Sequence, residues 1–174
     1  MATIKTSYPS TSSVDLTITL ASLASGSAGV YTAGRESTAV DNTTNLDLDH
    51  LLSGKITLGT SPTASRSINV YAYANLSSSS GTPSYPDVLD GTDSDETFTS
   101  ANVQNSAVKF VASMTTDATS DRSYYFGPVS VASLFGGSLP KFWGVFVAQD
   151  SGVALNATAG NHKLSYERIQ AQSV

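Results

Sequence analysis

Residues 68–76 read INVYAYANL and residues 141–149 read KFWGVFVAQ. In the first stretch Ile68, Val70, Ala72, Ala74 and Leu76 fall on one face, and Asn69, Tyr71, Tyr73 and Asn75 on the other. A period of two belongs to a strand, whose successive side chains point to opposite sides, and not to a helix of 3.6 residues per turn. The second stretch is apolar on both faces, as a central strand is when both sides of its sheet are covered. Trp143, the single tryptophan, is most simply core.

The same alternation recurs outward from these two. Val14, Leu16, Ile18 and Leu20 face a core while Asp15, Thr17 and Thr19 face water, and Ile56 and Leu58 point inward from residues 55–59. Residues 107–115 alternate Val108, Phe110, Ala112 and Met114 with Lys109, Val111 and Ser113, and residues 163–170 close the series. Turn-forming stretches separate the runs, among them residues 75–86 and the Gly136-Gly137 pair before Pro140. Only Val129 to Phe135 predicts a helix, too short to stand alone. Many short strands with hydroxyl-rich connections predict an all-β fold, an antiparallel β-sandwich that is jelly-roll-like. One domain is expected over residues 13–174, preceded by an extended amino-terminal arm over residues 1–12. Such an arm can add to a neighbour's sheet edge or simply fray. The serine run at Ser77 to Ser80 is expected to move with comparable freedom.

Composition narrows the function. The chain has 174 residues and no cysteine, which removes thiolate nucleophiles and Cys-ligated zinc. Charged residues make up 13% of it, about half the usual share, and 29 Ser with 20 Thr carry the polar load instead. The net charge is −5 and no basic stripe gathers, so no nucleic-acid partner is expected. No run of eighteen apolar residues and no secretory leader is visible, so no membrane span is expected and synthesis is expected in a cytosol. The triplets at Asn42, Asn75 and Asn156 then read as turn asparagines rather than glycan acceptors.

The candidate chemistry is thin. His50 and His162 show no metal-ligand spacing. Asp47, Asp49 and His50 set a base beside two carboxylates, yet no Gly-x-Ser-x-Gly elbow supplies a nucleophile, and a polar strand end accounts for them. Residues 87–96, DVLDGTDSDE, hold five carboxylates. Asp90, Asp93 and Asp95 are the calcium candidates among them, against a solvated loop, because the spacing departs from an EF-hand loop. Glu36, Glu96 and Glu167 are isolated, so no glycosidase pair is evident. Tyr71 and Tyr73, outward on their strand, and Tyr124 and Tyr125 are candidates for a sugar-stacking or protein-binding platform, with cross-strand packing the alternative. No catalytic residue, metal or cofactor is expected.

The carboxyl-terminal stretch Leu139-Pro140-Lys141-Phe142-Trp143-Gly144-Val145-Phe146-Val147, followed by Ala154-Leu155, Ala159-Gly160-Asn161 and Lys163-Leu164-Ser165-Tyr166, resembles a group of small virion-associated structural proteins of tailed bacteriophages, with a looser similarity over residues 51–90. In that group the last two strands read as a Leu-Pro-x-x-Trp-Gly hairpin. The resemblance implies a non-enzymatic structural role in the virion after synthesis in the host cytoplasm, and carries over no catalytic residue. A capsid decoration (cement) protein, homo-oligomeric and bound to the major capsid protein or other virion proteins, is the expectation. A tail- or fibre-associated carbohydrate- or receptor-binding module is the alternative.

Overall fold

The computed structural model describes residues 3–9, 13–77 and 85–173. Among them the chain forms β1 (Ile4–Ser7), β2 (Val14–Asp15), β3 (Ala33–Glu36), β4 (Val40–Asp41), β5 (Asp49–Thr57), β6 (Ser67–Asn75) and β7 (Ser94–Thr97). Helix α1 (Ala101–Ala107), β8 (Lys109–Thr115), β9 (Ser123–Ser130), α2 (Val131–Leu134), β10 (Phe142–Gln149) and β11 (Lys163–Ser173) complete it. No helix among the described residues is long and apolar enough to cross a membrane.

The strands make two antiparallel sheets packed together, an all-β sandwich. The first runs β1-β11-β5-β9, with β2 also on β11; the second runs β7-β3-β10-β6-β8, with β4 also on β10. Between them lies the larger core. Leu52, Ile56, Leu164 and Tyr166 come from the first sheet, and Ile68, Val70, Trp143, Val145 and Val147 from the second. Burying each of these side chains is worth about 1.5–3 kcal/mol, which is why alternating runs settle with their apolar faces opposed.

Strand β10 is central, as its double-faced pattern predicts. Trp143, Val145 and Val147 enter the core between the sheets, while Phe146 and Ala148 enter a second cluster on the far side of the second sheet. That cluster is roofed by residues 85–108, which supply Tyr85, Leu89, Phe98 and Val108. Helix α1 belongs to this roof: the Ser100 hydroxyl caps it by accepting from the Val103 N–H, and Gln104 anchors it by donating to the Tyr31 carbonyl at 2.7 Å. Gly144 sits under the roof directly opposite Tyr73, and a Cβ there would overlap the Tyr73 ring.

Several expectations are corrected. Residues 101–107 form a helix that apolar periodicity did not announce, beside the expected one at α2. In β8, Met114 and Ala112 face the inter-sheet core as expected, but a bulge opposite Val70 and Tyr71 shifts the register. Phe110 is therefore paired with Tyr71 and 56% exposed, and Val108 joins the outer cluster. One extra residue flips every side chain beyond it. The run from Val14 is a strand for two residues only, although Leu16 and Leu20 are buried as predicted. The last two strands are not a hairpin: β10 lies in the second sheet and β11 in the first, so residues 150–162 cross the sandwich. Within the expected amino-terminal arm, β1 pairs with Gln170–Ser173 of its own chain. The rest of the arm at residues 1–2 and 10–12, and the serine run at 78–80, lie outside the described residues.

Candidate functional site

His50 stands on β5 opposite Arg168 of β11 and is 1% exposed. Its Nδ1 accepts from the Trp143 Nε1–H at 2.9 Å, which puts the ring proton on Nε2, 2.9 Å from Asp47 Oδ2. Asp47 also accepts from Arg168 Nε at 2.8 Å, Arg168 Nη2 at 3.1 Å and Gln170 Nε2 at 2.6 Å. The Tyr166 ring stacks on the imidazole at 4.3 Å. Burial pushes the His50 pKa down and outweighs the pull of Asp47, so the ring is neutral at pH 7. Burial pushes the Asp47 carboxyl up, but Arg168, His50 and Gln170 together hold it below the usual carboxylate range. Asp49 accepts from the Ser130 hydroxyl at 2.6 Å and the Ala132 N–H at 2.8 Å, fastening α2 to β5. Of the trio read from the sequence, His50 ties the two sheets together through Trp143, Asp47 backs its imidazole, and Asp49 serves the separate contact to α2. Both imidazole nitrogens are engaged, by an indole and a carboxylate.

A second buried carboxylate was legible only as an isolated glutamate. Glu36, at the end of β3, is fully buried beneath the roof. Its Oε1 accepts from the Gly91 N–H at 2.7 Å and its Oε2 from the Asp90 N–H at 3.1 Å, holding residues 90–91 down on the sheet. Burial pushes its pKa up to about 7 against the lowering effect of those N–H groups. The nearby Tyr73 hydroxyl donates to the Ser37 carbonyl at 2.6 Å.

The acidic stretch does not converge on a cation. Asp93 accepts from Arg35 Nε at 2.6 Å and from the Thr19 hydroxyl at 2.6 Å, and Asp95 accepts from Arg35 Nη1 at 3.1 Å. Asp90 turns to the Thr92 N–H and Asp87 to Thr99. The calcium reading of Asp90, Asp93 and Asp95 is corrected: the cation between Asp93 and Asp95 is the Arg35 guanidinium. No group of three ligating side chains forms among the described residues.

The tyrosine platform is also corrected. Tyr73 is fully buried, because the roof covers the face expected to meet water. Tyr71 is half-buried, edge-on to Phe110 at 5.8 Å. Tyr124 is half-buried on the other sheet, where its hydroxyl donates to Asp117 at 3.1 Å. Tyr125 alone of the four is exposed, at 70%, above a shallow groove of about 490 Å³ that includes Lys55, Gly127 and Lys163.

A feature with a different character lies at one end of the second sheet. The connection from α2 to β10 stands off the end of β6 and leaves a cleft of about 650 Å³, walled by Leu76, Leu134, Phe135, Leu139 and Pro140. Its charged lining residues are Lys109 and Lys141. They come from either side of β6: Lys109 opens β8 opposite Ala72, and Lys141 immediately precedes β10, whose Phe142 faces Asn75. Two apolar side chains beside Lys141, Leu139 and Pro140, were visible in the sequence as part of the Leu-Pro-x-x-Trp-Gly stretch. Lys109 was not, because only the register beside the bulge brings it here.

Compared with family models, curated proteins and solved structures, the chain matches none.

Proposed function

We propose that this chain is a non-enzymatic structural protein of a phage virion, a capsid decoration (cement) protein that binds the lattice of the major capsid protein. The observation that carries the reading is the open apolar cleft walled by Leu139 and Pro140. An apolar recess exposed on a protein this polar marks a contact site. Its wall belongs to the stretch that resembles virion proteins. The ionisable groups of the interior support a structural role: Asp47, His50, Arg168 and Trp143 tie sheet to sheet, and Glu36 holds the roof. A closed homo-oligomer suits a part repeated on a symmetric shell. Quantitative mass spectrometry of purified particles tests the proposal: a copy number comparable to that of the major capsid protein is expected, and one far below it removes lattice-wide decoration.

The alternative, a tail- or fibre-associated module that binds carbohydrate or a receptor, draws on Tyr125. An exposed ring above a polar groove is the form a sugar-stacking subsite takes. It predicts glycan-array binding that Tyr125→Ala abolishes, and array silence ends it.

A further inference from the structure

We infer that the cleft between β6 and the α2–β10 connection takes a segment of a partner protein that presents apolar side chains next to carboxylates. This rests on the docking reading above and names the chemistry of what docks.

The cleft is open to solvent, and its volume of about 650 Å³ is enough to receive a few side chains. Leu76 is 64% exposed there, and Leu134, Phe135, Leu139 and Pro140 continue the apolar surface. Such walls select apolar side chains. The charge at the rim selects the rest. The chain carries five more acidic than basic residues, yet among the described residues no carboxylate lines this cleft, and two of the nine basic side chains do. Neither Lys109 nor Lys141 makes an ion pair or a side-chain hydrogen bond among the described residues, whereas Arg35, Arg122, Lys163 and Arg168 each hold an aspartate. Two unpaired ammonium groups, one at the start of β8 and one just before β10, create a local positive potential against a negative background. A segment with carboxylates flanking its apolar residues complements both walls and rim.

The test uses the full chain, labelled with ¹⁵N, and three synthetic peptides sharing one Leu-Phe-x-Leu core flanked by two Glu, two Gln or two Lys. Titration followed by NMR is expected to move the amides of Leu76, Lys109 and residues 134–141 with the Glu peptide. Affinity should fall about tenfold or more for the Gln peptide, the effect of losing a charged contact, and further for the Lys peptide. In Lys109→Glu/Lys141→Glu the order of the Glu and Lys peptides should invert, a result that a merely unfolded variant cannot give. Equal affinity for all three peptides, or shifts elsewhere, overturns the inference. So does saturation of the cleft by dodecanoate that the Glu peptide fails to displace, which assigns it to a lipid-like ligand. A dimer of the unliganded chain that Lys109→Glu/Lys141→Glu dissolves overturns it too, by assigning the cleft to a second copy. Particle mass spectrometry judges the virion reading separately, so protein abundant in particles with a peptide-blind cleft sinks the inference alone.

Discussion

Asp47 and Glu36 are both carboxylates with almost no exposure, and they sit in opposite electrostatic circumstances. Asp47 has a guanidinium along two hydrogen bonds, a side-chain amide and an imidazole, all from the first sheet's strands or their approach. Glu36 accepts from two backbone N–H groups and, among the described residues, pairs with no cation. The first is held below its ordinary pKa and the second is raised to about 7. Burial acts the same way on both; the difference is the counter-charge. A buried carboxylate with a cation is a permanent ionic tie, and one held only by dipoles is a tie whose charge depends on pH.

The largest expected effect separates the two directly. Asp47→Asn leaves Arg168 without its anion and sets an N–H₂ among side chains that all donate to Asp47, and should cost about 3–5 kcal/mol in urea unfolding at pH 7. Glu36→Gln at the same pH should cost about 1 kcal/mol or less, since a neutral amide oxygen still accepts from one of the two N–H groups. Equal losses would show that the counter-charge does not distinguish the two sites. Next comes packing beside each carboxylate. Gly144→Ala forces a methyl against the Tyr73 ring and should cost about 1–3 kcal/mol by thermal unfolding. Trp143→Phe keeps most of the ring but leaves His50 Nδ1 a buried acceptor without a donor. It should cost about 1–3 kcal/mol and let the imidazole exchange tautomers, visible in its ¹⁵N shifts.

How far these sites could be read from the sequence follows from how local their parts are. Asp47, Asp49 and His50 stand together in the chain, so the cluster was visible. Its meaning was not, because Arg168 and Gln170 arrive only through the pairing of β5 with β11. Strands β6 and β10 were legible because burial on one or both faces is written as a pattern in adjacent residues. The order of strands is not written that way, and the supposed terminal hairpin failed for that reason. The roof over Glu36 was the least legible part. Tyr85, Leu89, Phe98 and Val108 follow no period, since a covering segment takes whatever path its anchors allow. Tyr73 therefore read as outward, although the face it lies on is as dry as the other. Phe110 and Lys109 exchanged faces at a bulge that alternation alone cannot locate.

The smallest effect sharpens the comparison most, because it is one of sign. The Glu36 pKa is raised from 4.5 to about 7 in the fold. The folded state therefore binds more protons than the unfolded state between those values, and the Glu36 contribution is full below pH 4.5 and declines as pH rises toward 7. His50 is depressed below 6.5, so its contribution is full above pH 6.5 and declines as pH falls. Across the mildly acidic range the two slopes oppose each other, and the wild-type chain should show a flatter profile than either group alone would give. Urea unfolding at half-unit steps from pH 5 to 8 should show Glu36→Gln losing stability more steeply than wild type as pH drops below 6.5, with the two profiles diverging toward acid. Parallel profiles would mean that Glu36 titrates alike in both states, and the contrast between the two carboxylates would reduce to hydrogen bonding.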